Sequence, residues 1–326
     1  MNATPTSRRA RGVASLKLGA LGAPGALAAL AALGAASAAF AALPLTVCVA
    51  ENNPPLSYQA GTALRGLDTR IAQAIAAELD RPLKLIPFES KYEAESTLAH
   101  EVNALLTSGV CELASGFPLL AGDLGAPSRP TSRVPDHPGA ARRPQRPWVP
   151  LGELAPSHAY HAVALALLVR EAARESATLA NPGDARIGVT AGTMAGTAVT
   201  LYRNGKLRPQ LVGLSKNQDA LEELDAGRID ATLAPLDRFD AWRLAHAGSQ
   251  LRRAAYVHPL RINIGFVARA ESGAVLAAAN RVIDRALADG ELQRWSADAG
   301  ASWVAPAEPQ VGRAIGLPDL LDDSPL

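Results

Sequence analysis

Bulky and β-branched apolar residues alternate through Leu45, Val47 and Val49, with Thr46 and Cys48 between them. The run ends in Glu51, Asn52, Asn53 and the pair Pro54-Pro55. Such alternation predicts a buried strand, and the two prolines forbid both helix and ladder beyond it. The period then becomes helical: in GLDTRIAQAIAAELDRP, Ile71, Ile75 and Leu79 share one side. Residues 82–88 (PLKLIPF) predict a second strand. Residues 93–107 predict an amphipathic helix through Leu98, Val102, Leu105 and Leu106, ended by Gly109. GVCELASGF then reads as a third strand. This βαβαβ order implies parallel strands joined by right-handed crossovers.

The same grammar returns later. AYHAVALALLVR (159–170) is the most apolar run after the first forty residues and reads as a strand. RIGVTAGT (186–193), QLVGL and RIDATLAP read as strands, separated by the helices MAGTAVTLYRNG and NQDALEELDAG. Two α/β lobes are therefore expected. A final strand, LRINIGFVAR (260–269), precedes helices over 272–289 and 290–299, with Val275, Leu276, Ala279, Val282, Ile283 and Leu287 on one face. Residues 121–150 are rich in proline and arginine and have almost no apolar period, which predicts an extended surface insertion with solvated arginines. The tail from 304 is proline-rich, then acidic, and is expected to be peripheral.

At 326 residues the chain is long enough for two domains, and its formal net charge of +1 calls for neither nucleic acid nor an anionic membrane surface. Its start changes the picture more. Arg8, Arg9, Arg11 and Lys17 precede an Ala/Leu/Gly run over 18–35, and Ala36-Ser37-Ala38 and Ala39-Phe40-Ala41 are small-x-small cleavage candidates. Residues 1–41 thus read as a signal peptide, which places the rest outside the cytoplasm. A retained membrane anchor is the alternative; Pro24 and the many small residues argue against it. In an oxidising compartment the two cysteines, Cys48 and Cys111, are a disulfide candidate, the alternative being two buried apolar thiols.

Open α/β sheets bind ligands outside the carboxyl ends of their strands. That rule selects Glu51, Asn52 and Tyr58 after the first strand, and Ser115, Gly116 and Phe117 at the end of the third. Gly192 and Thr193 open a helix whose first amides suit an anion. Asp230 joins the candidates, and Tyr58, Phe117 and Tyr160 are placed to form aromatic walls. Each has a plainer reading, as a helix cap, a structural turn or a core ring. Catalysis has little support: no Ser/His/Asp arrangement or phosphate loop is legible, and His158 and His161 fall in a strand, where their spacing does not converge on a metal. Glu51 or Glu112 in a closed cleft could act as a general base. No cofactor and no metal site are expected.

The order of these pieces resembles the family 3 extracellular solute-binding proteins, the periplasmic components of polar amino-acid ABC transporters. Pro54, Pro55 and Leu56, then Gly66, Asp68, Ile71, Ala72 and Leu79, match its opening motif. Residues 186–193 match its "lv.vv..GT" step, and Leu224, Gly227, Arg228, Ile229, Asp230 and Ala231 its "l..GriDa" step. Residues 263–303 match its closing motif. Cys48, Asn53, Pro55 and Ser57, with Cys111, Glu112, Gly116 and Pro118, look like the subgroup associated with periplasmic quinoprotein dehydrogenases. The resemblance implies a two-lobed type II periplasmic-binding-protein fold: a signal peptide (1–41), lobe 1 (42–166), lobe 2 (167–257), a return to lobe 1 (258–303) and a tail (304–326). Two hinge strands would join the lobes. It further implies a monomer that closes on a small polar solute and presents it to a membrane permease, or an accessory protein of a dehydrogenase that keeps the fold. Amino-acid binders of the family clamp the ligand carboxylate with an arginine where this chain has Asp123, and the ammonium with an acid where it has Pro235. Arg129, Arg133 and Asp237 are the available substitutes. A standard α-amino acid is therefore not the expected ligand.

Overall fold

The computed structural model describes residues 42–90, 96–170 and 179–322. The signal-peptide reading and residues 93–95 of the expected helix lie outside the described residues. In the first half, strand β1 (Leu45–Ala50) leads into a three-stranded antiparallel sheet of β2 (Asn52–Asn53), β3 (Ser57–Ala60) and β4 (Ala63–Arg65). That small sheet was not anticipated, because its strands are too short to carry a period. Helix α1 (Leu67–Glu78) follows, entered through Gly66 at φ 118°, where a Cβ would stand 2.2 Å from the Leu56 carbonyl oxygen. Only glycine fits there. Strand β5 (Leu83–Phe88), helix α2 (Leu98–Thr107) and strand β6 (Leu113–Pro118) complete the unit, with β1 parallel to both β5 and β6 as expected.

Side chains alternate across a strand, and β1 uses both faces. Leu45, Val47 and Val49 pack in one buried cluster with Leu67, Ile71 and Ile75 of α1. Cys48 packs in the other with Val102, Leu105 and Leu106 of α2. There Cys48 is bonded to Cys111, with Cα atoms 5.7 Å apart, so the disulfide reading holds and the free-thiol alternative falls.

The insertion does not stand away from the fold. A 3-10 turn over Ala121–Asp123 precedes the short antiparallel pair β7 (Thr131–Ser132) and β8 (Val149–Pro150), a second over Arg143–Gln145 lies between its strands, and Val134 packs against the α2 cluster. Arg146 is buried rather than solvated, with its guanidinium on the carbonyls of Ala141 and Val134 and on Asp136.

Strand β9 (Leu154–Arg170) begins earlier than the apolar pattern, because Pro156 and His158 interrupt it. Pro156 is tolerated where β9 has a partner on one side only. The second half then runs β10 (Ile187–Thr190), α3 (Met194–Leu201), β11 (Leu211–Leu214), α4 (Ala220–Asp225), β12 (Ala231–Pro235) and α5 (Leu236–Ala245). Helix α5 has no apolar stripe and was not foreseen. Strand β13 (Leu251–Arg269) returns the chain to the first half, where α6 (Gly273–Ala288) and α7 (Glu291–Ala299) cover α1.

All the larger strands form one sheet in the order β11-β10-β12-β9-β13-β6-β1-β5. Among the described residues, the antiparallel pair β9/β13 joins the two halves of this sheet. Register fixes how the halves face one another. Strand β6 ends with Pro118 beside Ile264 of β13, which lies opposite His161 of β9. Strand β12 ends with Pro235 beside Leu165 of β9. Both strand sets therefore aim their carboxyl ends at the same central stretch of the bridge, separated along β9 by His161 to Leu165, roughly 13 Å at the rise of a strand. The ladder shifts register between Arg253 and Arg261 of β13.

The expectation of a peripheral tail is corrected. Residues after Trp303 run along the bridge, and α8 (Leu317–Leu321) packs on α3. Asn263, a buried polar residue on β13, requires this: its amide is satisfied by tail carbonyls.

Candidate functional site

Two cavities with polar groups in their lining lie at the strand tips. The first, about 360 Å³, is in the first half and is lined by Glu51, Asn52, Asn53, Glu89, Ser90, Ser115, Gly116 and Phe117, among others. These residues end or follow β1, β5 and β6. The second, about 330 Å³, is in the second half; its polar lining is Thr190, Thr193, Lys216, Gln218, Thr232 and Arg238, with Pro235 beside them. These residues end or follow β10, β11 and β12, or open α3, except Thr232, which lies near the start of β12.

Beneath the first cavity is a buried carboxylate. Asp68, in the first turn of α1, accepts hydrogen bonds from Ser115 Oγ (2.7 Å) and Tyr160 Oη (2.7 Å), and Tyr160 Oη accepts one from the Gly116 amide (3.0 Å). Burial raises the Asp68 carboxyl to about 6 against the pull of its two hydroxyl donors. Gly116 takes φ 67°, and a Cβ there would sit 3.1 Å from Asp68 Oδ2. The cavity floor is thus held by a polar network tied through Tyr160 to the bridge strand β9.

Glu51, Asn52, Ser115, Gly116 and Phe117 come together as neighbours in the first cavity, and Thr193 lines the second. Thr193 also caps α3, its Oγ1 accepting from the Gly196 amide at 2.9 Å. Gly192 is exposed at φ 79° in the turn before it. Tyr58 lies in β3, paired with Asn52 and Arg65, outside the lining of the first cavity. Two expectations need correction. Tyr160 is wholly buried against Phe266, with ring centroids 5.2 Å apart, and forms core rather than a cleft wall. Asp230 precedes β12, at the end of the sheet away from the cavities, and is paired with Arg186 at 2.9 Å.

Lys216, Gln218, Arg238, Glu89 and Ser90 escaped the sequence reading. The rule that selected Glu51 would have found them, since Glu89 follows β5, Lys216 follows β11 and Arg238 follows β12. Arg238 is ion-paired with Asp219. Asp123 lies in a 3-10 turn and does not line the first cavity, whereas Pro235 does line the second. Among the described residues no cluster of His, Cys, Asp or Glu could hold a metal ion, and His161 is buried, its imidazole lowered to about 4 by desolvation.

Neither a family model nor a curated protein matches this sequence. Solved structures do. The L-cystine solute receptor of Neisseria gonorrhoeae, in its unliganded open conformation, is similar at a TM-score of 0.57 and 15% identity, over 80% of this chain and 94% of that one. Substrate-binding domain 2 of Lactococcus lactis GlnP, also open, is similar at 0.55 and 14%, over 80% and 96%. The chain has the type II periplasmic-binding-protein fold. An ancestral cationic amino acid solute-binding protein shares this fold at 0.51 and 16%, over 78% and 94%. Periplasmic binding proteins close by hinge motion around a ligand; here β9 and β13 are the strands that run between the two halves of the sheet.

Proposed function

We propose that the chain is a periplasmic solute receptor that takes a small polar ligand between its two halves for an ABC-type transporter. It would be exported by the segment 1–41 and act as a monomer. The observation that carries this is the register of the bridge: two cavities, each lined by polar side chains at strand carboxyl ends, are aimed at one central stretch. In this reading lobe 1 is 42–166, lobe 2 is 167–257, and 258–303 closes lobe 1. The ligand differs from a standard α-amino acid, because Pro235 stands where an ammonium partner is expected and Lys216 brings positive charge to that cavity, the Arg238 guanidinium being paired with Asp219.

Thermal-shift screening of the chain from residue 42 against amino acids, sugars, organic acids and amines tests this. A ligand at a hundred times its Kd should stabilise the protein by about 2.7 kcal/mol. Stabilisation by none of them would end the proposal. For any solute found, Glu51→Ala or Lys216→Ala should weaken binding about tenfold where it meets a charged group of the ligand, measured by calorimetry. A second reading, an accessory protein of a periplasmic dehydrogenase, draws on Trp148, 48% exposed on the insertion with the Arg133 guanidinium 4.9 Å from its ring. Capture of a dehydrogenase that is lost in Trp148→Ala, with no solute bound, would favour it.

A further inference from the structure

The chain after α7 is fastened in turn to the second half, the bridge, the first half and the second half again. Ser302 donates through its amide (2.6 Å) and hydroxyl (2.8 Å) to Asp240 of α5. Trp303 Nε1 then donates to the Tyr160 carbonyl (3.0 Å), and the Val304 carbonyl accepts from the Ala162 amide (3.1 Å), both on β9. Asn263 of β13 donates to the carbonyls of Ala307 (2.7 Å) and Gln310 (2.9 Å) and accepts from the Ala307 amide (2.8 Å). Gly312 pairs through both backbone groups with the segment leaving β6, donating to Leu119 (2.8 Å) and accepting from Ala121 (2.9 Å). Finally α8 lies on α3, with Leu320 packed against the second-half core and its carbonyl 3.3 Å from His258 Nε2.

These anchors straddle the part of the molecule least able to hold its own shape. A two-stranded antiparallel ribbon is marginally stable alone, and between the ends of β6 and β12 the bridge is such a ribbon. Its outward-facing amides need partners, and the tail supplies one inside the ribbon, where Ala162 bonds Val304, and one just before it, where Ala159 bonds Gln310 Oε1 at 2.9 Å. Rotation about the bridge changes the distances among the anchors on α5, β6 and α3, so one of them must yield. The α8 anchor is shallow: Leu320 is half-buried and its carbonyl faces His258, while Leu317 and Leu321 stay exposed. It also touches the helix whose first turn lines the second cavity.

We propose that residues 302–321 are a strap that splints the bridge, and that docking of α8 on α3 limits how far the two halves separate. Its bearing on ligand access rests on the receptor reading; its mechanics do not. Spin labels at exposed Gln73→Cys on α1 and Lys206→Cys in the second half report the distance between halves by pulsed electron paramagnetic resonance. A chain ending at Gly312 should give a broader distribution shifted by several ångströms, and Leu320→Glu in the full chain a smaller change of the same kind. A synthetic peptide of residues 313–322, added to the shortened chain, should narrow the distribution again. If the shortened chain does not fold, as judged by circular dichroism, Leu320→Glu alone decides. Distributions that superpose on the parent in every folded variant overturn the strap and leave the receptor reading intact. Absence of any bound solute overturns the receptor reading and leaves the strap.

Discussion

The two halves repeat one chain order but are fastened by different chemistry. In the first, the polar groups that matter are inside: Asp68, Ser115 and Tyr160 bond one another in the core, and the Cys48–Cys111 bond is buried on the other face of the sheet. In the second, the charged pairs lie outside: Arg186 with Asp230 and Arg228 with Glu223 are solvated at one partner or both. A buried polar network gives geometry at the cost of depending on every member, whereas exposed ion pairs contribute little. The first half therefore holds its cavity floor by a network of its own core, whereas the buried Asp240 of the second half is bonded to Ser302 of the tail.

Replacing both Cys48 and Cys111 with alanine is the strongest way to break this contrast. The bond closes a loop with a sequence separation of 63, and its loss should cost about 4 kcal/mol in urea unfolding. Hydrogen exchange should quicken in β1 and β6 before it does in β10 and β12; equal quickening in both halves would erase the distinction.

The next largest effect concerns pH. Burial raises the Asp68 carboxyl from 3.8 to about 6, so the folded protein keeps a proton that the unfolded chain releases between those values. Stability from that proton is fully present below the unfolded value and is lost as pH rises through about 6. Asp68→Asn lacks this titration. Relative to that variant, the wild type should lose up to about 3 kcal/mol between about pH 4 and pH 7. A stability difference that stays flat across the window would show that Asp68 does not titrate there. Smallest of all is Arg186→Ala, at the exposed pair with Asp230, which should leave the melting temperature almost unmoved; a large drop would mean that the second half, too, depends on specific charged contacts.

The strands and helices with several turns of regular period were legible in the sequence, as were the parallel order of each half and the two crossing strands. Those that escaped lacked a period: β2, β3 and β4 are very short, and α5 has charged residues all round. Cavity-lining positions were legible where a strand end could be recognised, which is why Glu51, Ser115 and Thr193 fall on the cavities. Tyr160 and Asp230 misled because alternation gives a face but not what covers it, and because Asp230 precedes its strand instead of following it. Asp68 matched a motif, yet its burial depends on Tyr160, far along the chain. The tail misled by composition, since its prolines hide the backbone carbonyls that Asn263 binds.

The shifted ladder of the bridge has a mechanical outcome of its own. From Arg253 to Arg261, β13 runs eight residues beside the four of β9 from Leu168 to Ala164. A ribbon whose two edges differ in length must curl. The surplus lies on β13 there and on β9 from Pro156 to His161, where five residues run beside the three from Ile264 to Val267, so the ribbon bends at two places, and shortening 254–260 should straighten the first, as small-angle scattering would record.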